Sequence, residues 1–262
     1  MHCQPKLKQL VYKWLNNNHN CLLCDEPAHA PIPICVACEA ELPWLDERCR
    51  VCALPLPMTG LVCGQCNRRR PAFQQVEAPW HYGFPVDALI TRFKYHRQWP
   101  LGRLLAELLG NWLAYRFAEG LAQPTLLLPV PMATRRLRHR GYNQAGMLAK
   151  WLGTQLDITC DEHLLVRTLD TPAQQGLNAR TRKRNLRQAF AVTDVKAVAG
   201  RHLALVDDVL TTGATAQALA SQLLKAGARR VDVYCLARTP NRAALDLAQA
   251  GGHFRSDHRH PA

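Results

Sequence analysis

The chain has 262 residues, 48% apolar and 20% charged, a balance that suits a folded globular protein and excludes collagen, coiled coil and wholesale disorder. No uninterrupted apolar run approaches the roughly 18 residues that span a bilayer, and the first residues lack the apolar core of an export signal, so a soluble, cytoplasmic protein without a transmembrane segment is expected. Eleven cysteines and a formal net charge of +13 stand apart, and in a reducing compartment they point to bound metal and to an anionic partner.

Residues 1–20 read as a short basic segment with amphipathic character. The cysteines then concentrate. Eight of the eleven form four Cys-x-x-Cys knuckles, Cys21/Cys24, Cys35/Cys38, Cys49/Cys52 and Cys63/Cys66, each starting fourteen residues after the one before. Two cysteines on one tight turn can aim both sulfurs at a single ion, and two such turns complete a tetrahedral thiolate site. Residues 21–70 are therefore expected to form a double zinc ribbon holding two structural zinc ions. Disulfides or an iron–sulfur cluster are the alternatives, and the regular spacing without an export signal favours zinc. The spacing leaves the pairing open, since successive or alternate knuckles could share an ion. Apolar residues are few here, Trp44, Leu45, Leu54 and Leu56 among them, so metal binding would supply folding energy. Cys3, Cys160 and Cys235 stand alone and read as core or incidental thiols.

Arg68, Arg69, Arg70 and Pro71 form a charged, turn-prone connection. A second domain is expected over 80–240. Residues 86–118 show helical periodicity interrupted near Pro100, which predicts two amphipathic helices. Leu126 to Pro131 predicts a short buried strand ended by prolines, and 143–156 a helix with Met147, Leu148, Trp151 and Leu152 on one side. Two runs of positive charge follow or precede these elements, Arg135, Arg136, Arg138 and Arg140, then Arg180, Arg182, Lys183, Arg184 and Arg187. They hold nine of the surplus charges in residues 73–262, which carry 25 basic and 14 acidic residues. Strands are predicted at Leu203–Val206 and Val231–Ala237, with a helix at 214–226 between them. Strands alternating with helices imply an α/β domain with a parallel sheet flanked by helices, and ligands in such sheets sit beyond the carboxyl ends of the strands. The polar tail, 241–262, with its histidines, is expected to be a flexible end.

The most informative stretch runs from Leu203 to Thr215. An apolar strand leads to Asp207 and Asp208, then to Thr211, Thr212, Gly213, Ala214 and Thr215 opening a helix. The glycine turn lets successive backbone N–H groups face one oxyanion, the threonine hydroxyls add donors, and the helix start adds its positive end. Paired carboxylates beside such a cup can accept hydrogen bonds from two vicinal hydroxyls or support a divalent cation. Cup and clamp together describe a ribose 5-phosphate site.

These residues resemble the 5-phosphoribosyl 1-pyrophosphate (PRPP) signature of type I phosphoribosyltransferases. With the cysteine knuckles, Phe93-Lys94-Tyr95, Pro129-Val130-Pro131 and Arg140-Gly141-Tyr142-Asn143-Gln144, the chain is similar to the ComF/GntX family of competence and DNA-utilisation proteins. The resemblance implies a type I phosphoribosyltransferase-like sheet in which Asp207 and Asp208, as the catalytic pair, hold the ribose hydroxyls. It places the 5-phosphate on Thr211, Thr212, Gly213, Ala214 and Thr215. Pyrophosphate with magnesium would bind at the turn after Val130, near Arg135, Arg136 and Arg140. Residues 176–190, with Arg180 and Arg184, correspond to the loop that closes over PRPP. The implied function is PRPP binding in the uptake or handling of DNA, with single-stranded DNA as a partner held by arginines and by aromatics drawn from Trp80, Tyr82, Phe93, Tyr95, Trp99 and Tyr142. Two other readings stand beside it, a phosphoribosyltransferase acting on an unidentified amine acceptor, and a ribbon module that docks other proteins of the uptake machinery.

Overall fold

The computed structural model describes residues 20–28, 32–58, 60–168 and 189–240. The expectations for the N-terminal segment before Asn20, for Cys3, for Arg180, Arg182, Lys183, Arg184 and Arg187, and for the tail 241–262 lie outside the described residues.

Short helices α1 (Val36–Ala40) and α2 (Gly64–Arg68) belong to the cysteine-rich part, and β1 (Val76–Glu77) and β2 (Trp80–His81) follow. Two helices come next, α3 (Val86–His96) and α4 (Trp99–Ala118), then β3 (Leu126–Pro129), α5 (Thr134–Arg140) and α6 (Gln144–Leu156). The rest is β4 (Leu165–Arg167), β5 (Phe190–Val192), β6 (His202–Leu210), α7 (Ala214–Lys225) and β7 (Arg230–Arg238).

The main sheet has parallel strands in the order β1-β7-β6-β3, with β2 pairing further along β7, and β4 and β5 form a separate antiparallel pair. β1 and β2 act as one edge strand interrupted at Ala78-Pro79. Strands β6 and β7 are buried on both faces, as expected for near-continuous apolar runs in a parallel sheet. Alternation along them separates two cores. Leu203, Leu205, Val231, Val233 and Cys235 face α7 and its Leu219 and Leu223. Ala204, Val206, Tyr234 and Leu236 face α3, α4 and α6. Where α3 crosses α4, Gly102 lets the Phe93 ring approach to 2.5 Å from the point a Cβ would occupy.

Two boundaries are sharpened. The break between the first two helices falls at Arg97, whose φ of 55° ends α3. Pro100 instead sits in the first turn of α4, where its missing N–H is harmless. β6 runs four residues past Val206, so the aspartate pair lies inside the strand, with Asp207 opposite Cys235 on β7. The cysteine-rich part packs against the sheet.

Its two halves straddle the sheet edge. The backbone linking them pairs antiparallel to β2, through Leu45 N–H to Pro79 O at 2.7 Å and His81 N–H to Pro43 O at 2.8 Å. On one side Cys21, Ile34 and Leu42 join the core beneath α3 and α4. On the other, Leu45, Val51, Cys52, Cys63 and Cys66 join the core beneath α7. A buried ion-pair group fixes this seam, with Glu77 bound by Arg48 at 3.4 Å and Arg116 at 3.5 Å.

Candidate functional site

The cysteines assemble into two clusters, Cys21, Cys24, Cys35 and Cys38, and Cys49, Cys52, Cys63 and Cys66, with sulfurs in each within 4.8 Å of one another. Successive knuckles thus share a site. Cys24 and Cys35 sulfurs are 3.6 Å apart and Cys52 and Cys63 sulfurs 3.7 Å. These are close to the roughly 3.8 Å that four bonds of about 2.3 Å set around a tetrahedral zinc, and well beyond a disulfide bond. The knuckle turns are built by the sulfurs themselves. Cys35 and Cys63 cap α1 and α2 by accepting the N–H of Cys38 and Cys66 at 3.4 and 3.5 Å. Burial opposes ionisation of Cys21 and Cys49, but backbone N–H donors around each outweigh it and hold them down, to about 6 and about 7. The donor sets fit two structural zinc ions.

At the carboxyl end of the sheet, β6 ends at Leu210 and the chain turns through Thr211, Thr212 and Gly213 into α7. Gly213 has a φ of 72°, the left-handed region that favours glycine. Thr211, Thr212 and Ala214 are exposed, and the Thr212 hydroxyl accepts the Ala214 N–H at 3.3 Å. The first-turn N–H groups of a helix have no carbonyl of their own to bond, so this exposed turn can present them to an oxyanion.

The acid pair lies just behind it. Asp208 is buried and pairs with Lys94 of α3 at 2.9 Å. Asp207 accepts the Asp208 N–H at 2.9 Å. Burial, reinforced by the charge of Asp208, pushes Asp207 up to about 8, against the pull of Lys94. The ionised form of Asp207 is therefore disfavoured, and a cation or hydrogen-bond donors brought by a ligand would favour it.

The neighbouring turn after β3 is at the same sheet end, because β3 and β6 are parallel with Pro129 opposite Val206. The Arg140-to-Gln144 block builds it. Asn143 caps α6 through Ala145 N–H at 3.1 Å and donates to Val130 O at 3.1 Å. Gly141, at a φ of 85°, ends α5, and Tyr142 donates its hydroxyl to Phe93 O. Arg140 bonds Gln144 and stacks over Tyr95, 4.9 Å from the ring centroid. Arg135 and Arg136 are exposed on α5. So Arg135, Arg136, Arg140, Asp207, Asp208 and residues 211–215 share one end of the sheet, as expected from their order in the chain. Of the aromatic candidates, Trp80 and Phe93 are fully buried and belong to the core, whereas Tyr95 and Trp99 are 65% and 51% exposed.

Two further residues enter the site that motif reading passed over as functional. Lys94 is one. Arg238, the last residue of β7, is the other: 7% exposed, it reaches back to the carbonyls of Leu210 and Thr211. A charged residue closing an apolar run was the only sequence signal for it.

Residues 14–67 match the double zinc ribbon domain family. The chain is 37% identical over 221 residues to the DNA utilization protein YhgH of Escherichia coli, covering 84% of this chain and 96% of that protein. It is 35% identical over 226 residues to competence protein F of Haemophilus influenzae, covering 84% and 97%. Among solved structures it is similar to a purine phosphoribosyltransferase from Pyrococcus horikoshii, with a TM-score of 0.33 and 16% identity over 51% of this chain and 73% of that one.

Proposed function

The chain belongs to the ComF/GntX family, that of competence protein F and DNA utilization protein YhgH, and on that premise we propose that it binds PRPP and serves the uptake or handling of DNA. The observation that carries this reading is the exposed threonine–glycine turn between β6 and α7, set directly after an acid pair that is half neutralised by Lys94. In this reading Thr211, Thr212, Gly213, Ala214 and Thr215 take the 5-phosphate through N–H and hydroxyl donors. Asp207 and Asp208 accept from the ribose hydroxyls. Arg135, Arg136 and Arg140 face the pyrophosphate, and Arg180 and Arg184 are assigned to it by sequence resemblance alone.

Two carboxylates together with pyrophosphate oxygens are the hard donors magnesium takes. Bound with PRPP, magnesium would offset pyrophosphate charge. Should this site also transfer the ribosyl group, the arginines would stabilise the departing pyrophosphate; the acceptor amine has no assigned residues.

Single-stranded DNA is the second partner proposed. Arg140 stacked over exposed Tyr95, with exposed Trp99 set edge-on to Tyr142 at 6.1 Å, offers cations and ring faces side by side next to the phosphate turn. Such pairs suit a sugar-phosphate chain with stacking bases. Other proteins of the uptake machinery remain proposed partners for the ribbons.

Calorimetric titration with PRPP and magnesium tests the first reading. Asp207→Ala with Asp208→Ala should weaken binding at least about tenfold, since each lost hydrogen bond to a charged group contributes about 1.5–3 kcal/mol. Oligonucleotide binding should survive that change and fall with Tyr95→Ala. Equal PRPP affinity in wild type and double variant would reject the assignment.

A further inference from the structure

We propose that Arg238 is a positioning residue that couples the second four-cysteine site to the phosphate turn, so that metal occupancy at that site sets the turn's conformation. Its guanidinium is shared between the two. Nη1 donates to Leu210 O at 3.0 Å, Thr211 O at 2.5 Å and Thr239 O at 2.7 Å, while Nε donates to Cys52 O at 2.9 Å. A buried guanidinium left without acceptors is strongly unfavourable, so it holds these carbonyls together. Cys52 is the second cysteine of a knuckle that is itself bent, with Ala53 at a φ of 51°. Where the Cys52 carbonyl points therefore depends on the knuckle being closed around its ion.

A second tie runs from the other side. The chain leaving the second site reaches α7 through Ala72 N–H to Gln217 Oε1 at 2.7 Å, and the Phe73 ring lies 3.9 Å from the Cβ point of Gly213. The turn is thus held by Arg238 at its start and touched at Gly213 by the chain leaving the second site. The first site packs into the opposite core, beneath α3 and α4.

Opening the second site removes the Cys52 acceptor, frees the guanidinium to turn, and releases Leu210 and Thr211 from their donor. Linkage requires the reverse as well. A phosphate held on the turn fixes the same carbonyls, and should slow metal loss from the second site while leaving the first unaffected. The affinity part of this inference rests on the PRPP reading; the effect on the turn does not.

The test is amide hydrogen exchange across residues 210–216 of the full zinc-loaded chain, followed as a chelator withdraws zinc and occupancy is read by native mass spectrometry. Exchange should rise about tenfold, within the usual range of such coupling, when the second site empties, and stay flat when only the first has emptied. Arg238→Lys should keep both zinc ions and the far-ultraviolet spectrum yet exchange faster at 210–216, bind PRPP about tenfold more weakly, and lose the protection that PRPP gives the second zinc. A turn whose exchange is the same with the second site full or empty, or that opens equally when only the first is emptied, overturns the coupling. If the turn responds to zinc but wild type does not bind PRPP, the coupling stands and the ligand assignment falls. The wild-type measurement decides the matter even if Arg238→Lys fails to fold.

Discussion

The two four-cysteine sites come from one repeat, with the same ligands at the same spacing, and they serve different parts of the molecule. In the first, only Cys21 is buried and Cys24 is exposed. In the second, all four cysteines are buried in a core shared with α7, β6 and β7. Identical coordination chemistry therefore carries different structural weight. Losing the first ion opens a ribbon at the margin, whereas losing the second puts buried thiols, and the carbonyl that Arg238 holds, into the middle of the sheet domain.

The largest effect should separate them directly. Cys52→Ser removes a ligand from a closed, buried site whose metal binding is folding energy, on the order of 10 kcal/mol for structural zinc. We expect that variant to retain one zinc ion and to lose cooperative unfolding of the whole chain. Cys24→Ser should also retain one zinc ion, but keep near wild-type unfolding of the sheet domain by circular dichroism. Equal damage from both would mean that the first ribbon is as deeply built into the fold as the second.

The seam between them comes next. Arg48 lies in the linking segment, binds Glu77 at 3.4 Å, donates to Leu45 O at 2.8 Å, and stacks on Trp112 at 4.7 Å from the ring centroid. Burial raises the Glu77 pKa, and Arg48 and Arg116 oppose it. Arg48→Met leaves that buried carboxylate with one cation, Arg116, and the Gln75 amide, and breaking such pairs costs about 3–5 kcal/mol. Denaturant unfolding should show that loss, and Glu77→Gln in the same chain should recover part of it. If Arg48→Met unfolds like wild type, the seam does not bind the two ribbons to the sheet.

How much of this could be read from residues depends on range. The apolar runs at Leu203–Val206 and Val231–Ala237 announce buried parallel strands, because burial on both faces leaves no polar alternation. The knuckles announce two metal sites. Their pairing stayed open because every interval is fourteen residues, so spacing carries no preference. The five residues from Arg140 to Gln144 were legible as a block but not as a device, since Tyr142 and Arg140 act on Phe93 and Tyr95 of another helix. β1 and β2, two residues each, are too short for any period to show. α5 has an arginine run with no apolar stripe. Arg238 meets Cys52 across 186 positions, and no local pattern encodes a contact of that range.

The smallest predicted effect concerns charge in the core that the second site shares. Asp207 alternates with Val206, placing it on the face of Leu205 and Cys235. Its pKa is raised from 3.8 to about 8, burial first and Asp208 second. A carboxyl raised in this way contributes stability that is fully present below the unfolded value, near pH 4, and is lost as pH rises through about 8. Wild type should therefore lose Tm between about pH 4 and 8 and level off above, and Asp207→Asn, which cannot ionise, should lose less, ending several degrees above wild type at pH 9 and closest to it near pH 4. On the proposed reading, PRPP binding should run the other way, strengthening with pH as Asp207 ionises and accepts from the ribose hydroxyls, and Asp207→Asn should flatten that dependence. Zinc retention at the first site, in the opposite core, should not follow this titration. Should the first site follow it as closely as the second, the division between a marginal ribbon and a built-in one would have to be given up.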